Sequence, residues 1–177
     1  PKGIELYIFN DIPDLSLYGI GSANNGGGTD GQEYTFPGNL ALAGQFIYIA
    51  TDSLEFNNWF GFYPDYTSGA VNINGDDAVE LFYNGSVIDV FGDINIDGTG
   101  QPWEYMDGWA YRNDVTGPDD TTFNISSWTF SGKNALDGET SNATATAPFR
   151  YGTYTQVVVG QLTVDLIVDD GSGLVDT

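Results

Sequence analysis

The chain has 177 residues, with 25 acidic against four basic side chains, no histidine, no cysteine and a formal net charge of -21. These absences exclude His-based triads, His general bases, disulfides, zinc–thiolate centres and Cys nucleophiles. The charge sets the chain against phosphate backbones and anionic lipid, so neither nucleic acid nor membrane is an expected partner of this segment alone; it favours divalent cations among carboxylates that would otherwise repel one another.

The length suits one domain with a real core. Gly3-Ile4-Glu5-Leu6-Tyr7-Ile8-Phe9 reads as a strand with no lead-in. With Pro1 first and Met106 the single Met, the expectation is a chain whose initiator has been removed, and no secretory leader or transmembrane run is read in it. Asp14 to Ile20 reads as a second strand, residues 22–30 as a polar loop, Glu33 to Pro37 and Gln45 to Ala50 as further strands, and Glu55 to Phe62 as a short helix. Trp59, Phe60, Phe62, Tyr63 and Tyr66 form an aromatic cluster that packs as core or stacks a glycan.

Ala78 to Tyr83 and Ser86 to Phe91 flank Asn84-Gly85, a pair that supplies the positive φ angles of a two-residue hairpin turn. Val79, Leu81, Val87 and Val90 are expected to be largely buried. Strict alternation puts Val87 and Val90 on opposite faces, so burying both requires a bulge or a strand covered on both sides. Asp76 and Asp77, just before the hairpin, either cap it or ligate a metal.

The residues that follow fill every specified position of the twelve-residue calcium loop D-x-[DN]-x-[DN]-G-x5-E: Asp93, Asn95, Asp97, Gly98 and Glu104. In that loop the side chains at positions 1, 3 and 5, the carbonyl of Thr99 at position 7 and both oxygens of Glu104 face the ion, while Gly98 permits the sharp turn. Gly100 stands where an apolar residue is usual, and Gly and Pro surround the loop where two helices should flank it. The expectation is a structural Ca2+ on a β-scaffold; the alternative is an Asx-rich turn that caps itself. Gly108 to Arg112 and Trp128 to Phe130 are the last expected strands of the body, with Trp109 and Trp128 in or beside the core.

GIELYIFN…DLSLYGI, LALAGQFIYIA, NINGDDAVELFYNGSVIDVFGD, GWAYRN, WTFSG and the run Asn134 to Glu139 resemble the lamin-tail-like domains of secreted bacterial proteins, over residues 2–154. The resemblance implies an all-β, immunoglobulin-like β-sandwich with no chemistry of its own, serving attachment or assembly in secreted nucleases, adhesins and other surface proteins. It implies an extracellular or cell-surface location. By the resemblance, the position of the family's strand before the IELY strand is expected to be vacant here, and extra material follows Tyr154.

Within that extra material (155–177) Leu162, Val164, Leu166 and Val168 alternate with Thr163, Asp165 and Ile167, the period of a strand with one buried face. Such a strand can fill the vacant position in its own domain, fill it in a neighbouring copy and so build a head-to-tail filament, or belong to a linker. The function read from the sequence is a non-catalytic extracellular assembly module stabilised by calcium. An accessory domain of a secreted nuclease or hydrolase and a calcium-dependent adhesin domain are the alternatives.

Overall fold

The computed structural model describes residues 1–156. The strands are β1 (Gly3–Tyr7), β2 (Tyr18–Ala23), β3 (Tyr34–Thr35), β4 (Phe46–Ala50), β5 (Tyr66–Thr67), β6 (Ala78–Tyr83), β7 (Ser86–Phe91), β8 (Ala110–Arg112) and β9 (Trp128–Phe130), with helix α1 (Ser53–Phe60) between β4 and β5. The expected all-β class holds, with one short helix. α1 starts where Asp52 accepts a hydrogen bond from the N–H of Glu55 at 2.8 Å and stops at Gly61, whose φ of 84° takes the left-handed cap.

One sheet has the order β1-β4-β5 and a second the order β3-β2-β6-β7, while β8 and β9 form a separate pair. Every pairing is antiparallel except β4 with β5. The main core joins the two larger sheets. Ile8, Ile47 and Ile49 on one side meet Leu15, Ile20 and Phe36 on the other, with Ala41 and Val71 between. Burial of each large aliphatic or aromatic side chain there contributes about 1.5–3 kcal/mol.

A second, aromatic cluster gathers Trp103, Tyr105, Phe123 and Trp128 around Phe91. Trp128 and Trp109 are both half-buried, Trp109 against Phe149 and with its indole N–H donating to the Ala147 carbonyl at 2.8 Å. The 59–66 aromatics are divided. Phe60 and Phe62 pack on Phe56 and Tyr151, Tyr66 packs on Phe36 within the core, and Tyr63 stays 64% exposed.

The second strand begins later than its pattern suggested. Asp14 Oδ1 accepts from the N–H and the hydroxyl of Ser16, which holds residues 15–17 in a 3-10 turn, so β2 runs from Tyr18 and takes in Ser22 and Ala23 from the expected loop. The hairpin is as read: Asn84 and Gly85 have φ of 49° and 75°, and Tyr83 pairs with Ser86. A bulge follows, because Leu81 opposes Asp89 while Phe82 opposes Val87, so Ile88 is the extra residue. It places Val87 and Val90 on one face, with Phe82 and Glu80. Of the four residues expected to be largely buried, only Val90 is; Val79, Leu81 and Val87 are half-buried. For Val79 and Leu81 the reason is a cleft between the sheets, which both residues line.

Candidate functional site

The outer face of the β2–β6 ladder carries the strongest polar feature of the fold. Val79 and Leu81 face the core side, so alternation places Glu80 on the other side, where a solvent-exposed residue would be expected. Glu80 is instead 3% exposed. The segment 28–33 folds back over it, and the Thr29 hydroxyl donates to Glu80 Oε2 at 2.5 Å. Gly19 and Gly21 make this cover fit. A Cβ on Gly21 would lie 2.1 Å from the Gly31 carbonyl oxygen, and one on Gly19 would lie 2.3 Å from that of Tyr34. Glu33 Oε2 closes the far side by accepting from the N–H and hydroxyl of Ser22 at 2.7 and 2.9 Å.

Beside this cover lie Asp76 and Asp77. Asp77, 1% exposed, accepts from the N–H of Asn74 and from the N–H of Asn25, both at 3.0 Å. It therefore ties the start of the hairpin to the 24–28 turn, the capping role read from its position. Asp76, 7% exposed, accepts from the Thr99 hydroxyl at 3.0 Å through Oδ2, and its Oδ1 has no hydrogen-bond partner among the described residues. Burial, with Asp77 and Asp76 nearby, pushes the Tyr105 hydroxyl above its usual range.

The 93–104 loop packs against this acidic corner. The N–H of Gly98 donates to the Asp76 carbonyl at 3.0 Å and the N–H of Gly28 to that of Ile94 at 2.8 Å. Asp93 Oδ1 accepts from the N–H of Asn95, and Asp97 Oδ1 from the N–H of Thr99, each at 2.9 Å. Glu104 Oε2 accepts from the N–H of Gly100 at 2.8 Å, and its Oε1 is 2.7 Å from the Lys133 ammonium. Lys133 and that N–H hold the Glu104 carboxyl below its ordinary value, while the Thr99 N–H does the same for Asp97. The loop thus caps itself through its own carboxylates. Among the described residues no three acidic side chains converge as a metal-holding group.

Gly98 departs from its expected part. It stays outside the left-handed region, and a Cβ there would meet the Trp103 ring at 2.4 Å and the Asp76 carbonyl oxygen at 2.5 Å. Its requirement is close packing. The positive φ falls two residues later, on Gly100, at 76°.

The strongest ion pair of the described residues is elsewhere. Arg112 on β8 reaches both oxygens of Asp89 at 2.7 Å and Asp119 at 2.9 Å, with its guanidinium 4.4 Å from the centre of the Trp128 ring. Burial raises the Asp89 carboxyl even so, against the pull of Arg112. This group locks β7 to β8, and its one sequence signal is that Arg112 is one of only four basic residues. Leu162, Val164, Leu166 and Val168 lie outside the described residues. No helix among the described residues is long and apolar enough to cross a membrane.

The geometry defines a sandwich-like all-β domain whose polar loops are fastened by buried carboxylates. Comparison with family models, with curated proteins and with solved structures finds no match.

Proposed function

We propose that this chain is a non-catalytic structural module of an extracellular protein, an immunoglobulin-like sandwich of lamin-tail type whose 93–104 loop is pinned by Ca2+. The observation that supports it is the use to which the acidic residues are put. Asp77, Glu80, Glu33, Asp93 and Asp97 each bond to main-chain N–H or hydroxyl groups and fix loops on the sheet. None stands beside a histidine or cysteine, since the chain has neither. Such a site holds shape.

The donor set fits calcium in part. Asp93 and Asp97 use Oδ1 within the loop, which leaves Oδ2 of each to face an ion, and Asn95 adds an amide oxygen. Glu104 contributes both its oxygens only when Lys133 lets it go. A bound Ca2+ supplies positive charge to a chain of -21 and replaces Lys133 as the partner of Glu104.

Melting of the full chain in excess CaCl2, against chelator and against MgCl2, tests this. Calcium at a hundred times its Kd stabilises by about 2.7 kcal/mol. That corresponds to roughly 5–10 °C in a domain of this size. Asp97→Ala should abolish the shift. No shift, or the same shift in Asp97→Ala, removes the calcium assignment.

A further inference from the structure

Asp76 is a buried carboxylate with half of its bonding capacity unused. It is 7% exposed; Oδ2 accepts from the Thr99 hydroxyl at 3.0 Å, and Oδ1 has no partner among the described residues. Its main chain is fixed as well, because its carbonyl accepts from the Gly98 N–H at 3.0 Å. Both contacts hold the carboxyl against the 93–104 loop, where an unpaired buried oxygen is costly. The groups around it are rich in acceptors. Thr99, which holds Asp76, gives its N–H to Asp97 Oδ1 at 2.9 Å, so one residue joins the two carboxylates. Lys133 and the Gly100 N–H hold the Glu104 carboxyl low against the nearby charge of Asp97. Glu104 first, and then Asp76 and Asp107, push the Lys133 ammonium above its usual range. Asp76, Asp97 and Glu104 thus share one neighbourhood, and Lys133 already brings a cation to it. A water molecule serves such a place poorly, because it has two protons to give to several acceptors. Ca2+ takes about six to eight oxygens at about 2.3–2.6 Å, from carboxylates, carbonyls and water together.

We propose that Asp76 Oδ1 is a ligand of Ca2+ supplied from outside the twelve residues of the 93–104 loop, a role that rests on the calcium reading of that loop. While the loop caps itself, no three acidic side chains converge among the described residues, so the ion must gather its ligands. Asp76 is the one already buried, held in place and unpaired. The exposed Asn95 and Asp97 then close on the ion, and Lys133, with 47% of its side chain exposed, swings out and releases Glu104. Affinity in such loops follows the number of charged ligands, and Asp76 adds a carboxylate to those of Asp93, Asp97 and Glu104. The ion then does more than pin the loop. Asp77, next in the chain, holds the N–H groups of Asn74 and Asn25, so a ligand at Asp76 joins the loop to the hairpin entry and, through it, to the outer cover.

Calorimetric titration of the full chain with CaCl2, with melting in chelator alongside, tests the proposal. Asp76→Asn should weaken calcium binding at least about tenfold. In chelator it should melt at the wild-type temperature or slightly above it. Asp120→Asn takes the same charge from an exposed position and should bind calcium as the wild type does. Should Asp76→Asn fail to fold, 13C NMR of the side-chain carboxyls in the wild type decides: the Asp76 resonance should move on calcium addition together with that of Asp97. Wild-type affinity in Asp76→Asn overturns the proposal and leaves the loop's own site standing. So does an Asp76 resonance that stays in place while that of Asp97 moves. An equal loss in Asp120→Asn also overturns it, because the effect is then one of net charge. A wild type that binds no calcium removes the reading of the loop and the role of Asp76 with it.

Discussion

The two faces of the β3-β2-β6-β7 sheet are covered by different means. On the outer face, which also carries the buried Phe82 and Val90, Glu80 lies under the 24–33 segment, Asp77 holds two backbone N–H groups, and Asp76 Oδ1 has no hydrogen-bond partner among the described residues. On the inner face, Val79 and Leu81 border a cavity of about 410 Å³ and are half-buried. The contrast follows from the physics of the two kinds of cover. A buried carboxylate without a partner is costly, so a polar face must be closed by segments whose donors are placed within a few tenths of an ångström. An apolar face asks only for shape and area.

The largest effect should separate two adjacent aspartates. Asp77→Ala empties a buried position and takes from the N–H groups of Asn25 and Asn74 their charged acceptor, and it should cost about 3 kcal/mol in urea denaturation. Asp76→Asn keeps an acceptor for Thr99 at a carboxyl whose second oxygen has no partner among the described residues, so it should be neutral or slightly stabilising. Equal losses at the two positions would mean that Asp76 carries a partner of its own, and calcium titration of the same variants would show whether that partner is the ion.

Gly21→Ala comes next. Its Cβ would meet the Gly31 carbonyl at 2.1 Å, so the outer cover must lift, at a cost of about 1–3 kcal/mol. Faster proteolysis within residues 24–33 should accompany it. A neutral substitution would show that the 28–33 segment is not needed to seal Glu80.

A smaller effect lies on the face of β1 opposite Ile4 and Leu6. Burial pushes the Glu5 carboxyl on β1 above its ordinary 4.5, although the Gly152 N–H and the Tyr48 hydroxyl pull it down. The folded chain then keeps this proton to higher pH than the unfolded chain does. The stability it contributes is whole below the unfolded carboxylate range and is lost as pH rises through the folded value. Glu5→Gln should therefore gain on the wild type as pH climbs from the ordinary carboxylate range toward neutrality. An advantage that does not change over that window would contradict the raised value.

The smallest expected effect is at Lys133. Lys133→Gln frees Glu104 and should tighten calcium binding several-fold by calorimetric titration, because the ion no longer displaces an ammonium. Weaker binding in that variant would mean that Lys133 positions the loop.

The local signals in the sequence were legible and the long-range ones were not. Asn84-Gly85 specified its turn, because the pair acts over four residues, whereas the helix read at Glu55 to Phe62 lies at Ser53–Phe60, where Asp52 and Gly61 bound it. That a bulge could bring Val87 onto one face with Val90 followed from strict alternation, although Val87 stays half-buried. The burial of Glu80 did not, since its cover comes from residues 28–33; glycines at 19 and 21 on the neighbouring strand were the available sign of a close approach. At the candidate site the spacing singled out Asp93, Asn95, Asp97, Thr99 and Glu104 as candidates, yet it is silent about Lys133, which reaches Glu104 from 29 residues away. Neither could spacing show Asp76 beside Thr99, 23 residues off.

The claim that buried carboxylates seal the outer face is tested most directly by hydrogen exchange read by mass spectrometry on the full chain. The account predicts that Asp77→Ala speeds exchange about tenfold or more over residues 24–33, while β1 and β4 keep the wild-type rates. Equal exchange over 24–33 in Asp77→Ala and the wild type, or a loss spread evenly over both larger sheets, would contradict it.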